Sequence, residues 1–438
     1  MEKKKHIFEL SIIGLIYFIF GFVTWINGTL ISFMKVACNL SDFAAYLVTF
    51  AFYISYFVWA IPSSYVLKRS GFKRGIAIGL FVMAFGAMLF VPAAYVKVYP
   101  LFLVALFILG SGLALMQTAV NPYVTILGPI ESAAKRISIM GICNKFAGII
   151  APVILASVLF FGMDYLVGEI NDASSVEMQD QYRAMLMARL IMPYAIMSVI
   201  LVLLGIFVMF VHLPEIKEDL LDGESGRSGL WHDRRLWFGV IALFFYVGVE
   251  VIAGDTIINY GMSLGVAQES AKYFTSLTLT AMVLGYFIGV ILIPKYINQR
   301  QALIGCAALG ILLTVASIIT PSETSIIFPF IDLGTFSQIQ MQVPLTVLFV
   351  ALLGVANSLV WPAIWPLALE HAGNHTKIGS AILIMSIAGG AILPLVYGKI
   401  ADCTSTQAAY WIAIPCYVVI LAFAMYCKTQ KGSCIKKL

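Results

Sequence analysis

Twelve long apolar runs separated by short polar breaks dominate the chain. They fall near residues 8–34, 44–67, 75–96, 100–127, 138–161 and 190–211, then near 236–262, 272–293, 301–320, 344–369, 378–399 and 408–427. Each is long enough for the roughly 20 residues that a membrane-crossing helix needs. None keeps the strict apolar–polar alternation of a barrel strand, so β-barrel spans are excluded. Between the two sets of six lies the most polar stretch, which includes Glu215, Lys217, Glu218, Asp219, Asp222 and Arg227. The pattern predicts an all-α integral membrane protein with 12 transmembrane helices in two six-helix bundles. The bundles cover 1–212 and 236–438, and 213–235 links them.

The halves echo one another. At an offset of 242, Ser138 meets Ser380, Gly148 meets Gly390 and Pro152 meets Pro394; at 227, Gly21 meets Gly248 and Tyr46 meets Tyr273. With a polar linker between them, these coincidences read as two parallel, pseudo-symmetric repeats.

Composition narrows the function. Of 438 residues, 61% are apolar and 11% charged, against roughly 25% charged in soluble domains. A soluble enzyme, a disordered scaffold and a nucleic-acid binder are excluded. The net charge of +5 fits lysine and arginine beside lipid headgroups, with the lipid bilayer and no nucleic acid as partner. With both termini in the cytoplasm, 20 of the 27 lysines and arginines fall inside and six outside. Only Lys145 then lies deep in a span. Lys3-Lys4-Lys5 and the run after them read as an uncleaved first span. The cysteines form no Cys-x-x-Cys pair and read as small buried apolar residues. No metal-ligand His cluster, nucleophile–base arrangement or phosphate loop is present, so an enzyme and a bound cofactor are not expected. The longest outside loops, 162–189 and 321–343, read as solvated.

Polar groups at membrane depth cost about 2.5–3.5 kcal/mol on insertion scales, so they face the bundle interior and often mark a pathway. They are Thr24 and Asn27 in span 1, Gln117 and Asn121 in span 4, Asn144 and Lys145 in span 5, Glu250, Asp255 and Asn259 in span 7, and Asn357 in span 10. Residues four apart share a helical face, which pairs Gln117 with Asn121, pairs Asp255 with Asn259, and aligns Asn357 with Trp361 and Trp365. Glu250 and Asp255 differ by about 140° around the helix, which speaks against one shared site. Amides that both donate and accept suit sugar hydroxyls, and flat aromatic faces suit the apolar face of a sugar ring. The same amides could instead bond between helices, and the tryptophans could face core or lipid. Glu250, Asp255 and Lys145 are the ion-coupling candidates, with a structural salt bridge as the alternative. Pro122, Pro152, Pro362 and Pro366 are expected to bend cavity helices.

The loop Lys68-Arg69-Ser-Gly71-Phe-Lys73-Arg74 resembles the Gly-x-x-x-Asp-Arg-x-Gly-Arg-Arg signature of the major facilitator superfamily. Arg69, Gly71, Lys73 and Arg74 match, whereas the signature glycine and aspartate are missing. Gly21-Phe-Val-Thr-Trp-Ile-Asn27-Gly28, Gln117-Thr-Ala-Val-Asn121-Pro, Cys143-Asn144-Lys145, Phe245-Tyr-Val-Gly-Val-Glu250 and Asn357-Ser-Leu-Val-Trp361-Pro362 resemble the fucose–galactose–glucose:proton symporter family. Ile130 to Gly141 resembles its glucose/galactose branch. The resemblance implies the major facilitator fold and sugar symport. Fucose permeases carry acids where this chain has Gly28 and Gln117, so their proton sites are absent here as acids.

The resulting expectation is an inner-membrane secondary transporter, acting as a monomer, that imports a neutral hexose, glucose or galactose, by alternating access. Asn27, Gln117, Asn121, Asn144 and Asn357 would hold hydroxyls, with Trp361 stacking on the ring. Glu250 is the first choice for coupling to H⁺ or Na⁺, with Asp255 as second candidate and Lys145 tuning it; Arg69, Gly71 and Arg74 would serve gating at the cytoplasmic loop. An uncoupled facilitator, a fucose-type deoxysugar symporter and a drug/proton antiporter are the alternatives.

Overall fold

The computed structural model describes residues 2–126, 133–173, 175–211, 233–293, 296–331, 338–370 and 376–427. Among them, twelve helices are long and apolar enough to cross a membrane. In the first half these are spans 1 (Leu10–Ala37), 2 (Leu47–Ser70), 3 (Phe72–Val96), 4 (Tyr99–Val120), 5 (Ile139–Leu159) and 6 (Val176–Phe210). In the second they are spans 7 (Arg234–Asp255), 8 (Gln268–Leu292), 9 (Gln299–Ile319), 10 (Leu345–Leu369), 11 (Ile382–Cys403) and 12 (Ala408–Tyr426). They coincide with the twelve predicted runs because lipid leaves each backbone amide no partner outside its own helix. Most of the predicted linker, 213–232, lies outside the described residues. The side on which span 1 begins is called proximal below, and the opposite side distal.

Spans 1 and 10 are interrupted near mid-length, and span 7 breaks at its distal end. Span 1 changes helix at Ile26, span 7 is followed by a second helix, Ile257–Ser263, after Thr256, and span 10 changes at Leu359. In span 10 the cause is Pro362, which has no N–H for the Ser358 carbonyl one turn back. In span 7 the Thr256 hydroxyl donates to the Ile252 carbonyl at 2.7 Å, a back-bond that competes with the helix ladder and bends it.

Glycines let helices of each half meet backbone to backbone, and they do so at corresponding places. A Cβ on Gly21 of span 1 would lie 1.9 Å from the Asn144 carbonyl oxygen of span 5. A Cβ on Gly389 of span 11 would lie 1.8 Å from the Phe244 carbonyl oxygen of span 7. Spans 1 with 5 and 7 with 11 thus form equivalent pairs in the two halves.

Both long loops expected to be solvated carry structure. Helix Met163–Asp172 and Val176–Ala188, the first segment of span 6 ahead of its apolar helix Ile191–Phe210, occupy the first, and Met163, Leu166 and Ile170 recur at helical spacing on the buried face. In the second, β1 (Ser325–Ile331) pairs antiparallel with β2 (Gln338–Pro344), Phe328 opposite Met341. The hairpin adds to an otherwise helical fold; Ile, Phe and Val suit a pleated ribbon, and Phe330 packs 5.6 Å from the Tyr273 ring. Of the cysteines, Cys306, Cys416 and Cys427 are buried as expected, Cys38 and Cys143 half-buried, and Cys403 exposed.

Gly21→Ala and Gly389→Ala should each destabilise the protein by about 1–3 kcal/mol through overpacking, read as a lower melting temperature in detergent. Gly141→Ala, where a Cβ would meet nothing within 4 Å, should leave it unchanged. Equal melting of all three variants and wild type would contradict the backbone-close packing.

Candidate functional site

At mid-depth the two halves are joined by an ion pair. Lys145 of span 5 donates to Glu250 Oε1 of span 7 at 2.6 Å. Both side chains are nearly buried, 10% and 13% exposed. The Lys145 ammonium also sits 4.3 Å from the centroid of the Trp25 ring, a cation–π contact that desolvation strengthens. Trp25 is the hub of this site. Its ring lies where a Cβ of Gly148 in span 5 or of Gly254 in span 7 would be, each at 2.4 Å. It packs with Leu279, Met282 and Tyr286 of span 8. Two glycines therefore make the slot that lets one span 1 side chain touch both halves.

Asp255 lies five residues beyond Glu250. It is 0% exposed, and neither carboxylate oxygen has a hydrogen-bond partner among the described residues. Its backbone abuts span 1: a Cβ on Gly28 would lie 3.0 Å from Asp255 Cα. Of the two readings left open for Lys145 and Glu250, the structure brings them together as a pair. Asp255 makes no ion pair with Lys145, yet both members of the pair lie within its electrostatic reach.

The amides divide. Asn27 is 1% exposed with its Nδ2 unpartnered among the described residues, so it keeps a free donor at depth. Asn144 is half-buried and reaches the Tyr17 carbonyl at 3.4 Å. Gln117 is half-buried. The side chain of Asn121 lies outside the described residues. Asn357 accepts from Tyr417 of span 12 at 2.8 Å, a bond inside the second half that occupies its oxygen. Trp361 and Trp365 stack at 5.4 Å, and Trp361 lies 6.4 Å from Tyr246, one turn before Glu250.

Asn259 lies four residues beyond Asp255, past a break at Thr256 where the backbone stays in the α region. It belongs to a distal latch. Its Nδ2 donates to Asp42 Oδ1 at 2.6 Å and to the Tyr46 hydroxyl at 3.1 Å. Lys35 donates to the same Asp42 oxygen at 2.6 Å and to Asn259 Oδ1 at 3.2 Å. Asp402, at the end of span 11, accepts the backbone N–H groups of Asp42 and Phe43 at 2.7 and 3.0 Å. Beneath the latch, Tyr46 packs on Tyr397 and Tyr397 on Tyr410, at 5.5 and 5.0 Å. Tyr410 shares a 2.8 Å hydrogen bond with Thr256. These contacts close the distal side between the halves.

Two halves of six spans, tied at mid-depth and latched at one end, match the Major Facilitator Superfamily model over residues 13–382. The chain belongs to the major facilitator superfamily. It is 33% identical over 430 residues to a glucose/galactose transporter of Brucella abortus biovar 1 (strain 9-941), covering 97% of this chain and 95% of that one. It is 29% identical over 438 residues to the L-fucose-proton symporter of Escherichia coli (strain K12), covering 97% and 94%. The crystal structure of the superfamily transporter FucP in the outward conformation superposes with a TM-score of 0.69, at 27% identity, covering 97% of this chain and all of that one.

The superfamily signature loop keeps one feature that its backbone demands. Gly71 joins spans 2 and 3 at φ +76°, a conformation that favours glycine, and Arg69 and Arg74 on either side are exposed. The glycine–aspartate spacing missing from this loop recurs at the opposite face, where Gly398 and Asp402 of span 11 meet the start of span 2. A Cβ on Gly398 would lie 3.0 Å from the Asp42 carbonyl oxygen and 3.0 Å from Phe43 Cα. The latch escaped sequence reasoning because Lys35, Asp42 and Asp402 read as loop charges outside the bilayer. Trp25 escaped it because tryptophan near a span needs no special cause; the unusual signal was its place between two glycine-bearing spans.

Asp402→Asn should weaken the distal latch by about 1 kcal/mol, the usual value of a side-chain cap on backbone amides, or roughly fivefold in the closed-to-open ratio. Ser276 of span 8 donates to the Ile149 carbonyl across the halves at 2.5 Å. A Ser276→Cys reporter, in a background with the native cysteines replaced, should then react several-fold faster with an impermeant maleimide from the distal side. An unchanged rate would show that Asp402 does not hold the halves together.

Proposed function

We propose that this protein imports a neutral hexose, glucose or galactose, by alternating access, driven by proton symport. The observation that carries the reading is the Lys145–Glu250 pair: a charged contact at membrane depth between halves that alternating access must separate. Unpaired or half-buried amides at the same depth, Asn27, Gln117 and Asn144, supply donors and acceptors for hydroxyls, and Trp361 supplies a face for the ring. Asn357 assists through Tyr417. The names of its relatives support both a hexose and a proton; a sodium-driven mechanism has no such support. The split of lysines and arginines supports a bacterial inner-membrane location with the proximal side facing the cytoplasm. The distal latch would then face the periplasm.

Coupling runs through the buried groups of span 7. When the halves part, Lys145 and Glu250 lose each other, and each charge needs water or another partner in its place. Substrate and proton must offset that loss for the cycle to proceed. Arg69, Gly71 and Arg74 would steady the proximal loop between spans 2 and 3 as the cavity opens there.

Counterflow of labelled glucose, galactose and fucose in proteoliposomes tests the reading. Wild type should exchange at least one hexose and accumulate it when the outside is acidified. Glu250→Gln should keep exchange at a reduced rate and lose gradient-driven accumulation. Exchange of no hexose by wild type would overturn the sugar assignment, exchange without accumulation would identify a facilitator, and accumulation under sodium alone would replace the proton.

A further inference from the structure

We propose that Asp255 is the residue that carries the transported proton, and that Lys145–Glu250 is a charge clamp which leaves Asp255, among the described residues, as the fully buried acid without a counter-ion. This rests on the proton-symport reading above and names the coupling group within it. The argument starts from a charge count. Buried near the seam between the halves stand one ammonium, Lys145, and two carboxyl groups, Glu250 and, one turn further toward the distal side, Asp255. Lys145 is committed to Glu250 at 2.6 Å and is held over Trp25. Asp255 has no exposure and no hydrogen-bond partner on either oxygen among the described residues. A lone carboxylate in so dry a place is far costlier than a neutral acid. Two ionised acids beside one ammonium would leave net negative charge; one proton on Asp255 makes the group neutral.

The surroundings of Asp255 supply no other cation. The charged and titratable groups in electrostatic reach are Lys145 of span 5, Glu250 of its own helix, Tyr46 just before span 2 and Tyr53 within it. Span 1 offers only the uncharged main-chain N–H of Gly28 at the point of contact, and Thr275 of span 8 spends its hydroxyl on the Gly254 carbonyl at 2.7 Å. Asp255 is also placed to sense the latch. It is the last residue before the interruption at Thr256, which bonds Tyr410 beneath the latch, and Asn259 of the latch lies four residues beyond Asp255. Opening the distal side would draw span 1 away from Gly28's contact with Asp255 and let water reach the carboxyl. The proton would then exchange with the distal solution, and on reclosure the acid would again need it. The transfer is a plain acid–base step: the carboxylate takes a proton from distal water while that side is open, and the acid gives it to proximal water when the proximal side opens and hydrates it.

The test measures sugar-evoked proton uptake per sugar in proteoliposomes. Asp255→Asn should retain sugar counterflow while proton uptake falls to background. Glu250→Gln alone should also lose coupling, because the freed Lys145 becomes a counter-ion for an ionised Asp255. Removing both members of the clamp, in Lys145→Met/Glu250→Gln, should slow transport yet restore a proton-to-sugar ratio near that of wild type. Proton uptake by Asp255→Asn at the wild-type ratio, or a double variant that exchanges sugar without protons, would overturn the proposal and leave the sugar assignment standing. A failure of wild type itself to exchange sugar would strike the underlying reading instead. Infrared difference spectra of wild-type protein, evoked by sugar, keep the question open to refutation if the variants do not fold. The band of the protonated carboxyl group should shift on carbon-13 labelling of aspartate; a shift on labelling of glutamate instead would assign the proton to a glutamate.

Discussion

The ion pair between Lys145 and Glu250 sets the terms for the rest of this structure. Two charges taken out of water are tolerable only while they face each other. They come from different halves, so the halves are held in register at mid-depth by an interaction that cannot be partly made. Trp25, threaded between Gly148 and Gly254, covers the ammonium and shuts water out. The neighbouring Asp255 inherits a dry site with no cation to spare.

Two kinds of interface follow, and they divide the labour. Within each half, spans meet through glycine against backbone, as at Gly21 with Asn144 and at Gly389 with Phe244. Such contacts depend on close packing and lose their value with small displacements, so each half moves as a body. Between the halves the distal side adds hydrogen bonds at Asn259 and Asp402 to the close contact at Gly398, and water can replace each hydrogen-bond partner at small net cost. A transporter whose halves rock needs rigid bodies and a reversible seam, and the chemistry of the two interfaces differs in that sense.

The sequence made the spans plain because lipid imposes one rule on every backbone amide, and a 20-residue apolar run is its direct trace. It also exposed Lys145, Glu250 and Asp255, since an ionisable residue at depth is rare enough to stand out. Their pairing was not legible: Lys145 and Glu250 are 105 residues apart, and only the packing of span 5 against span 7 decides which acid the lysine meets. The hairpin of β1 and β2 was hidden for another reason. Its apolar residues lie in a stretch long enough to read as loop and too short to read as a span.

The bond from Asp402 to the amides of Asp42 and Phe43 differs in kind from the rest of the latch. Lys35, Asp42 and Asn259 recognise one another's side chains, so each constrains what the others can become. Asp402 reads only main-chain N–H groups, which every residue except proline presents. That half of the seal is therefore blind to the identity of the residues it grips. The periphery of the gate can drift in sequence, and with it the surface first met by an incoming solute, while the closure itself persists.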